Sequence, residues 1–315
     1  MGERVRHQSF VMDSARWDGF PLRPDDIIIS TPSKSGTTWT QMICALLLFD
    51  TDELPAPLTE LSPWLDMQLR SKEMVFDILA AQQHRRFIKT HTPLDSLPLD
   101  ERVTYVCVGR DPRDVSLSWE NHMANIDMNV LVGERAAAVG LDDVAELGPA
   151  PAPPSDDPRE RFWTWAEPPG GHETHETLPG VMRHLQTFWD RRHADNVLLL
   201  HYSDMSADLP AEMRRLADAL HIEISDSRIE QLAVAASFDR MKAKASDLAP
   251  VATQKLWRDD AQFFNKGTSG QWRELLDADD RQRYAARVSD LAESDLAAWA
   301  HGGRLGDDSW AAIEP

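Results

Sequence analysis

Lys34 stands in the run Ile27-Ile28-Ile29-Ser30-Thr31-Pro32-Ser33-Lys34-Ser35-Gly36-Thr37-Thr38-Trp39, which reads as a buried strand, a tight turn and a helix start. Small and hydroxylic residues at such a turn let backbone N–H groups point at an anion, and the emerging helix adds its positive end. The segment therefore has the makings of a phosphate-gripping loop, with Lys34 adding a full charge. Its spacing is not the G-x-x-x-x-G-K-[ST] of the common triphosphate loop, because the lysine precedes the single glycine. Generic ATP binding is disfavoured on that ground. Taken alone, the same residues also describe a hydroxyl-rich helix cap that carries a lysine.

Two further segments offer chemistry of a matching kind. In Arg86-Phe87-Ile88-Lys89-Thr90-His91-Thr92-Pro93, Lys89 and His91 lie two residues apart at the end of a short apolar strand, hence on one face. Strand ends are where open α/β sheets bind ligands. A histidine so placed is either a base or a satisfied structural residue. In Tyr105-Val106-Cys107-Val108-Gly109-Arg110-Asp111-Pro112-Arg113-Asp114-Val115-Ser116-Leu117-Ser118, strand and turn lead into a helix that Asp111 can cap and Pro112 can start. Arg110 leaves the strand end, where a guanidinium can fork onto phosphate oxygens, and Ser118 can add a hydroxyl from the next turns. An (i, i+4) ion pair of Arg110 with Asp114 is the competing account.

Together the three segments resemble the cytosolic-type sulfotransferases, which use 3′-phosphoadenosine 5′-phosphosulfate (PAPS) as sulfuryl donor and release 3′-phosphoadenosine 5′-phosphate (PAP). By that resemblance Lys34, Ser35, Gly36, Thr37, Thr38 and Trp39 form the 5′-phosphosulfate loop. Lys89-Thr90-His91-x-Pro93 matches the K-T-H-x-P segment that supplies the catalytic base, and Arg110 through Ser118 match R-[ND]-P-[KR]-D-x-x-x-S, which binds the 3′-phosphate. Later segments extend the likeness. Tyr202, in Val197–Met205, corresponds to a tyrosine that approaches adenine. Ser237-Phe238-Asp239-Arg240-Met241 resembles another adenine-side segment, which assigns Ser237, Phe238 and Met241 to the nucleotide; Ala236 stands where many relatives have threonine. Phe264–Trp272 resembles the loop that closes over the 3′-phosphate, where Lys266 and Gly267 agree and Asn265 replaces a usual arginine. The likeness runs from about residue 20 to residue 275. Departures include Thr31-Pro32-Ser33-Lys34 in place of T-Y-P-K. The K-x-x-x-T-V-x-x-x-E dimerisation segment has no counterpart in Arg273–Arg283, which leaves the oligomeric state open.

The resemblance implies an in-line displacement at sulfur. His91 deprotonates the acceptor hydroxyl, Lys34 and the N–H groups of Ser35–Thr38 meet the charge on the leaving phosphate, Lys89 assists at the sulfuryl group, and Trp39 stacks on adenine. An imidazole suits the base role because its ordinary pKa, roughly 6.5, leaves it largely neutral at pH 7. The acceptor is a hydroxyl of a small molecule, a lipid or a glycolipid, and no metal is required. Two other classes fit parts of the pattern. A small-metabolite kinase would use ATP with Mg²⁺ and need acidic ligands near the strand ends, where Asp111 and Asp114 read as helix cap and helix surface. A non-catalytic nucleotide-binding module would not need Lys89 and His91 together. His172-Glu173-Thr174-His175 is the one suggestive histidine pair, and two ligands in a Gly-rich loop fall short of a metal site.

Short apolar runs at Ile27–Ile29, Arg86–Lys89, Val103–Val108 and Val197–Leu200 alternate with helical patterns at Thr38–Phe49, Pro112–Met123, Leu178–Arg191, Pro210–Leu220, Ser225–Ala236 and Asp279–Ala300. This is the signature of an α/β fold with a central parallel sheet flanked by helices on both faces, P-loop-like in its first turn. One domain over residues 1–315 is expected, with a Pro/Gly-rich flexible or lid insertion at about 133–180. Its Phe162-Trp163-Thr164-Trp165 cluster either contacts the acceptor or packs beneath the loop. A formal charge of −19 disfavours nucleic acid, and it makes each cation gathered in a pocket informative. Cys44 and Cys107 sit in apolar segments without metal spacing and read as small core residues. The first 26 residues lack an apolar signal region and no run reaches membrane-span length, so a cytoplasmic chain without integral membrane association is expected.

Overall fold

Four runs of buried residues form strands β1 (Ile27–Ser30), β2 (Phe87–Thr90), β3 (Thr104–Gly109) and β4 (Val197–His201), all parallel, in the order β2-β1-β3-β4. The computed structural model describes residues 4–147, 153–169, 174–244, 248, 256–263 and 267–304. Helices α1 (Thr37–Phe49), α2 (Leu58–Leu61), α3 (Lys72–Ala81), α4 (Pro112–Asn125), α5 (Met128–Val139), α6 (Pro158–Ala166) and α7 (Leu178–Trp189) occupy the first two thirds of the chain. Helices α8 (Tyr202–Ala207), α9 (Leu209–Ala219), α10 (Asp226–Ala235), α11 (Phe238–Ala243), α12 (Trp272–Leu275), α13 (Ala278–Ser289) and α14 (Ser294–Gly302) follow.

Both faces of the sheet are covered, as the unbroken Ile, Val and Leu runs require. Side chains alternate along each strand: Ile28, Ile88, Tyr105 and Cys107 join a core with α3, α4, α6, α7, α13 and α14. Ile27, Ile29, Phe87, Val106 and Val108 join the opposite core with α1, α2, α9 and α10. Cys44 and Cys107 are buried thiols, one in each core. The chain runs from β1 outward to β2, then crosses back to β3 on the other side of β1. That reversal opens a crevice at the carboxyl ends of β1 and β3, where the side chains after Ser30, Thr90 and Gly109 converge.

Two expectations change. The single helix expected over Asp279–Ala300 is two, because Asp290 ends α13 and Glu293 is extended (φ −65°, ψ 156°) before α14 begins. The turn lets Tyr284 of α13 approach His301 of α14, oxygen to nitrogen at 3.0 Å. Within 133–180, α5 continues to Val139 and α6 forms behind the Asp157 cap and Pro158, burying Phe162, Trp163 and Trp165. Trp163 donates to Asp280 at 2.9 Å, so the aromatic cluster is core packing and not an acceptor contact. The stretch 148–152 and residues 170–173, including His172 and Glu173, lie outside the described residues.

Helix α14 seals the β3–β4 edge. His201 at the end of β4 meets the Ala300 carbonyl at 3.1 Å, and Trp299 packs across Gly109. A Cβ on Gly109 would lie 2.6 Å from the Trp299 ring and 2.9 Å from His201. Gly109→Ala is therefore expected to destabilise the fold by about 1–3 kcal/mol through overpacking; a urea-unfolding midpoint equal to that of the parent chain would contradict this packing.

Candidate active site

The turn after β1 is held in a strained form. Lys34 has φ +67° and Gly36 has φ +108°. A left-handed non-glycine residue costs about 1–2 kcal/mol, and here the Arg110 guanidinium offsets it by donating Nη1 to the Lys34 carbonyl at 2.9 Å. Gly36 has a second reason to be glycine, since a Cβ there would stand 3.3 Å from the Tyr202 ring. The Ser35 amide closes the turn onto the Pro32 carbonyl at 3.3 Å, so of the Ser35–Thr38 amides expected to face an anion one is already committed. Those of Thr37 and Thr38 open α1 and have no intrahelical acceptor. Thr37 is fixed by its hydroxyl, which meets that of Thr31 at 2.5 Å.

Three cations converge on this turn, and among the described residues none makes an ion pair with a carboxylate. Each lies instead over an aromatic face. Lys34 Nζ is 4.9 Å from the centre of the Phe263 ring, Lys89 Nζ 4.4 Å from Trp64, and the Arg110 guanidinium 4.4 Å from Tyr202. Burial, with Arg110 and Lys89 nearby, lowers the Lys34 pKa to about 7. Burial lowers Lys89 to about 8, against the pull of Asp66. Among the described residues, Arg110 Nε and Ser35 Oγ are buried without a hydrogen-bond partner. Unpaired charge and orphaned donors at one turn fit an anion with several oxygens, as a phosphate or phosphosulfate presents.

His91 faces the same turn from β2. Its Nδ1 lies 2.7 Å from the Thr31 carbonyl, which can only accept, so the neutral ring carries its proton on Nδ1 and leaves a lone pair on Nε2. Burial pushes the pKa of His91 well below the ordinary value, and the Lys89 charge adds to this. The ring meets Trp64 edge-on at 4.8 Å. Trp64 is itself held by Asp66, a fully buried carboxylate that accepts from Trp17 (2.9 Å), Trp64 (2.5 Å), Thr92 (2.5 Å) and Thr90. Burial raises the Asp66 pKa while these four donors oppose the rise.

Of the remaining expected residues, Trp39 lies on α1, Ser118 on α4, Tyr202 on α8, and Phe238 and Met241 on α11, where Met241 is buried in the core with α1, α9 and α10. Tyr202 starts α8, stacks on Arg110, and meets Trp39 edge-on at 5.3 Å. Trp39 donates Nε1 to the Ala236 carbonyl at 2.8 Å, which ties α1 to the turn before Ser237, Phe238 and Met241. Ser118 lies half-buried on α4. Gly267 has φ +65°, and a Cβ on it would come within 2.6 Å of the Phe238 ring. Asn265 and Lys266 lie outside the described residues. Asp111 caps α4 as expected, accepting from the Arg113 amide at 3.0 Å. Asp114 differs from its expected place on the helix surface: it is buried and accepts the Gly270 amide at 2.9 Å, because the loop 267–270 before α12 folds over α4. Burial and Asp111 raise its pKa to about 6. His175 pairs with Glu176 at 2.7 Å. Trp64, Asp66 and His122 escaped the sequence reading. His122, whose Nδ1 is 3.3 Å from Lys34 Nζ, lies one helical turn beyond Ser118, and that (i, i+4) spacing was the available signal.

The chain matches a family described as the sulfotransferase domain over residues 24–293. It is similar to a glycolipid sulfotransferase of Mycobacterium bovis, 46% identical over 98% of this chain and 97% of the relative. In fold it is similar to a retinol dehydratase solved with retinol and PAP (TM-score 0.66, 23% identity, 89% of this chain and 85% of that one). A mouse sulfotransferase, SULT7A1, solved with PAP, is alike at TM-score 0.65 and 19% identity over 94% of this chain and all of that one.

Because Asp66 satisfies four donors at once, Asp66→Leu is expected to cost about 3 kcal/mol or more of stability, through the buried donors it strands. Asp66→Asn, which keeps an acceptor oxygen, is expected to lose less. Chemical denaturation of both variants measures the difference, and a loss below about 1 kcal/mol for Asp66→Leu would mean that water replaces the carboxylate.

Proposed function

The chain belongs to the sulfotransferase domain family, and from that premise we propose that it moves a sulfuryl group from PAPS to a hydroxyl of a glycolipid acceptor. The observation that carries the reading is the hydrogen bond of His91 Nδ1–H to the Thr31 carbonyl, which holds the ring beside the cation-lined turn after β1 and leaves Nε2 unprotonated. The donor supplies an activated sulfur with a phosphate leaving group. His91 Nε2 takes the proton of the acceptor hydroxyl as its oxygen bonds to sulfur. Lys34 and the first amides of α1 meet the negative charge that grows on the phosphate oxygen as the S–O bond to it breaks. Lys89 lies on the sulfuryl side and offsets charge on the oxygens in flight.

Arg110 and Ser118, with Lys266 and Gly267, take the 3′-phosphate in this reading, and Asn265 stands in the same loop. Trp39, Tyr202, Ser237, Phe238 and Met241 take the adenine. The orphaned Arg110 Nε supports the 3′-phosphate assignment and the orphaned Ser35 Oγ the 5′-phosphosulfate loop, since the two ends of the donor would satisfy one each. The proposal includes a donor site without metal and a cytoplasmic setting; among the described residues no helix is long and apolar enough to cross a membrane.

Three measurements test it. His91→Ala is expected to lower turnover by about two to four orders of magnitude while PAP still raises the melting temperature; equal loss of PAP binding would remove His91 from the base role. Because burial depresses the His91 pKa, the acid limb of kcat/KM is expected below pH 6.5, and a limb centred above 7 would contradict a buried neutral base. Nucleotide binding favours charged Lys34, whose pKa in the free protein is about 7. Affinity for PAP should thus fall as pH rises above 7, by up to about tenfold per unit, with proton uptake visible by calorimetry in buffers of different ionisation enthalpy. A pH-independent affinity between 7 and 9 would contradict it.

A further inference from the structure

His122 lies in the last turn of α4, inside a wall of rings. Trp119 stacks on it at 5.4 Å and 30°, Trp257 lies at 4.9 Å and Phe263 at 6.3 Å. Its Nδ1 is 3.3 Å from Lys34 Nζ. With Lys34 charged, the state that bound nucleotide favours, its ammonium has only hydrogens to give, so Nδ1 accepts and the neutral ring carries its proton on Nε2. Burial, with the charges of Lys34 and Lys89 nearby, keeps the ring neutral. His91 has the opposite tautomer, with Nδ1–H spent on Thr31 and a lone pair on Nε2.

The two rings thus present unlike atoms: one Nε2 takes a hydrogen, the other gives one. Among the described residues neither Nε2 has a hydrogen-bond partner. One aromatic surface joins them, since Trp64 meets His91 and packs with the cluster that contains Trp257, the neighbour of His122.

We propose that His122 is a specificity-determining residue whose Nε2–H donates to an oxygen next to the reacting hydroxyl, so that the acceptor is a vicinal diol of a sugar ring rather than an isolated alcohol or phenol. The inference rests on the sulfuryl-transfer reading of His91. The reacting hydroxyl gives its proton to His91, and the adjacent oxygen uses a lone pair to accept from His122, which keeps its proton throughout. The apolar C–H face of a pyranose is suited to the Trp64 and Trp257 wall, whereas an isolated alcohol would leave Nε2–H without an acceptor.

The test compares kcat/KM at saturating PAPS for octyl glucoside, its monodeoxy analogues and octanol, with the parent chain, His122→Phe and His122→Gln. The parent chain is expected to prefer the intact glucoside to the analogue lacking the neighbouring oxygen by about tenfold or more. His122→Phe should bring that ratio close to one, and His122→Gln, whose amide keeps an N–H donor, should restore part of it. A ratio near one in the parent chain, or a ratio that survives His122→Phe, overturns the proposal. PAP-induced thermal shifts report folding of each variant, and the parent-chain ratio decides the matter should the Phe variant fail to fold. Binding of PAP without turnover of any acceptor would remove the sulfuryl-transfer reading itself, and this inference with it.

Discussion

Everything at the carboxyl edge of the sheet depends on three cations kept from carboxylates. In a chain of net charge −19, acidic partners are plentiful, yet Lys34, Lys89 and Arg110 rest on ring faces. A ring quadrupole attracts a cation without cancelling its charge, by about 0.5–2 kcal/mol depending on burial. The positive potential therefore stays available to a ligand. An ion pair would have stabilised each side chain more and left a polyanion to compete with it. The lowered pKa values of the two lysines follow from the same arrangement: burial lowers both, repulsion from Arg110 and Lys89 adds to it at Lys34, and the pull of Asp66 offsets only part of it at Lys89.

The supporting residues can be read as consequences of that arrangement. Trp64 can face Lys89 and His91 together because Asp66 fixes its indole, and Asp66 is tolerable in the core because four donors surround it. Arg110 serves twice, covering Tyr202 and clamping the left-handed Lys34. Acidic groups near the edge are spent elsewhere. Asp111 caps α4 and pairs with Arg113, while Asp114 holds the Gly270 amide.

Much of this was legible in the sequence wherever chemistry and local geometry coincide. The strands announced themselves as Ile, Val and Leu runs, the start of α4 as Asp111-Pro112, and the cation-bearing turns as residues directly after strands. Features that depend on distant segments were not legible. Asp66 sits in no motif, and its meaning comes from Trp17, Thr90 and Thr92, brought together only by the fold. Asp114 reads as solvent-facing until the 267–270 loop covers it. The proline-rich composition around residue 150 hid α6, although Asp157-Pro158 repeats the start signal of α4. The break between α13 and α14 was invisible because Ser289–Asp295 carries neither glycine nor proline.

The separation of a strongly negative exterior from an unpaired positive pocket also governs how a polyanion arrives. At long range the net field repels it; within a few ångströms the three cations attract it. Salt at physiological strength screens beyond about 8 Å. Added electrolyte therefore removes the repulsion first and reaches the buried attraction last. Encounter with the donor is then fastest at moderate rather than vanishing ionic strength, the reverse of the behaviour of an enzyme that steers its anionic substrate with a basic surface.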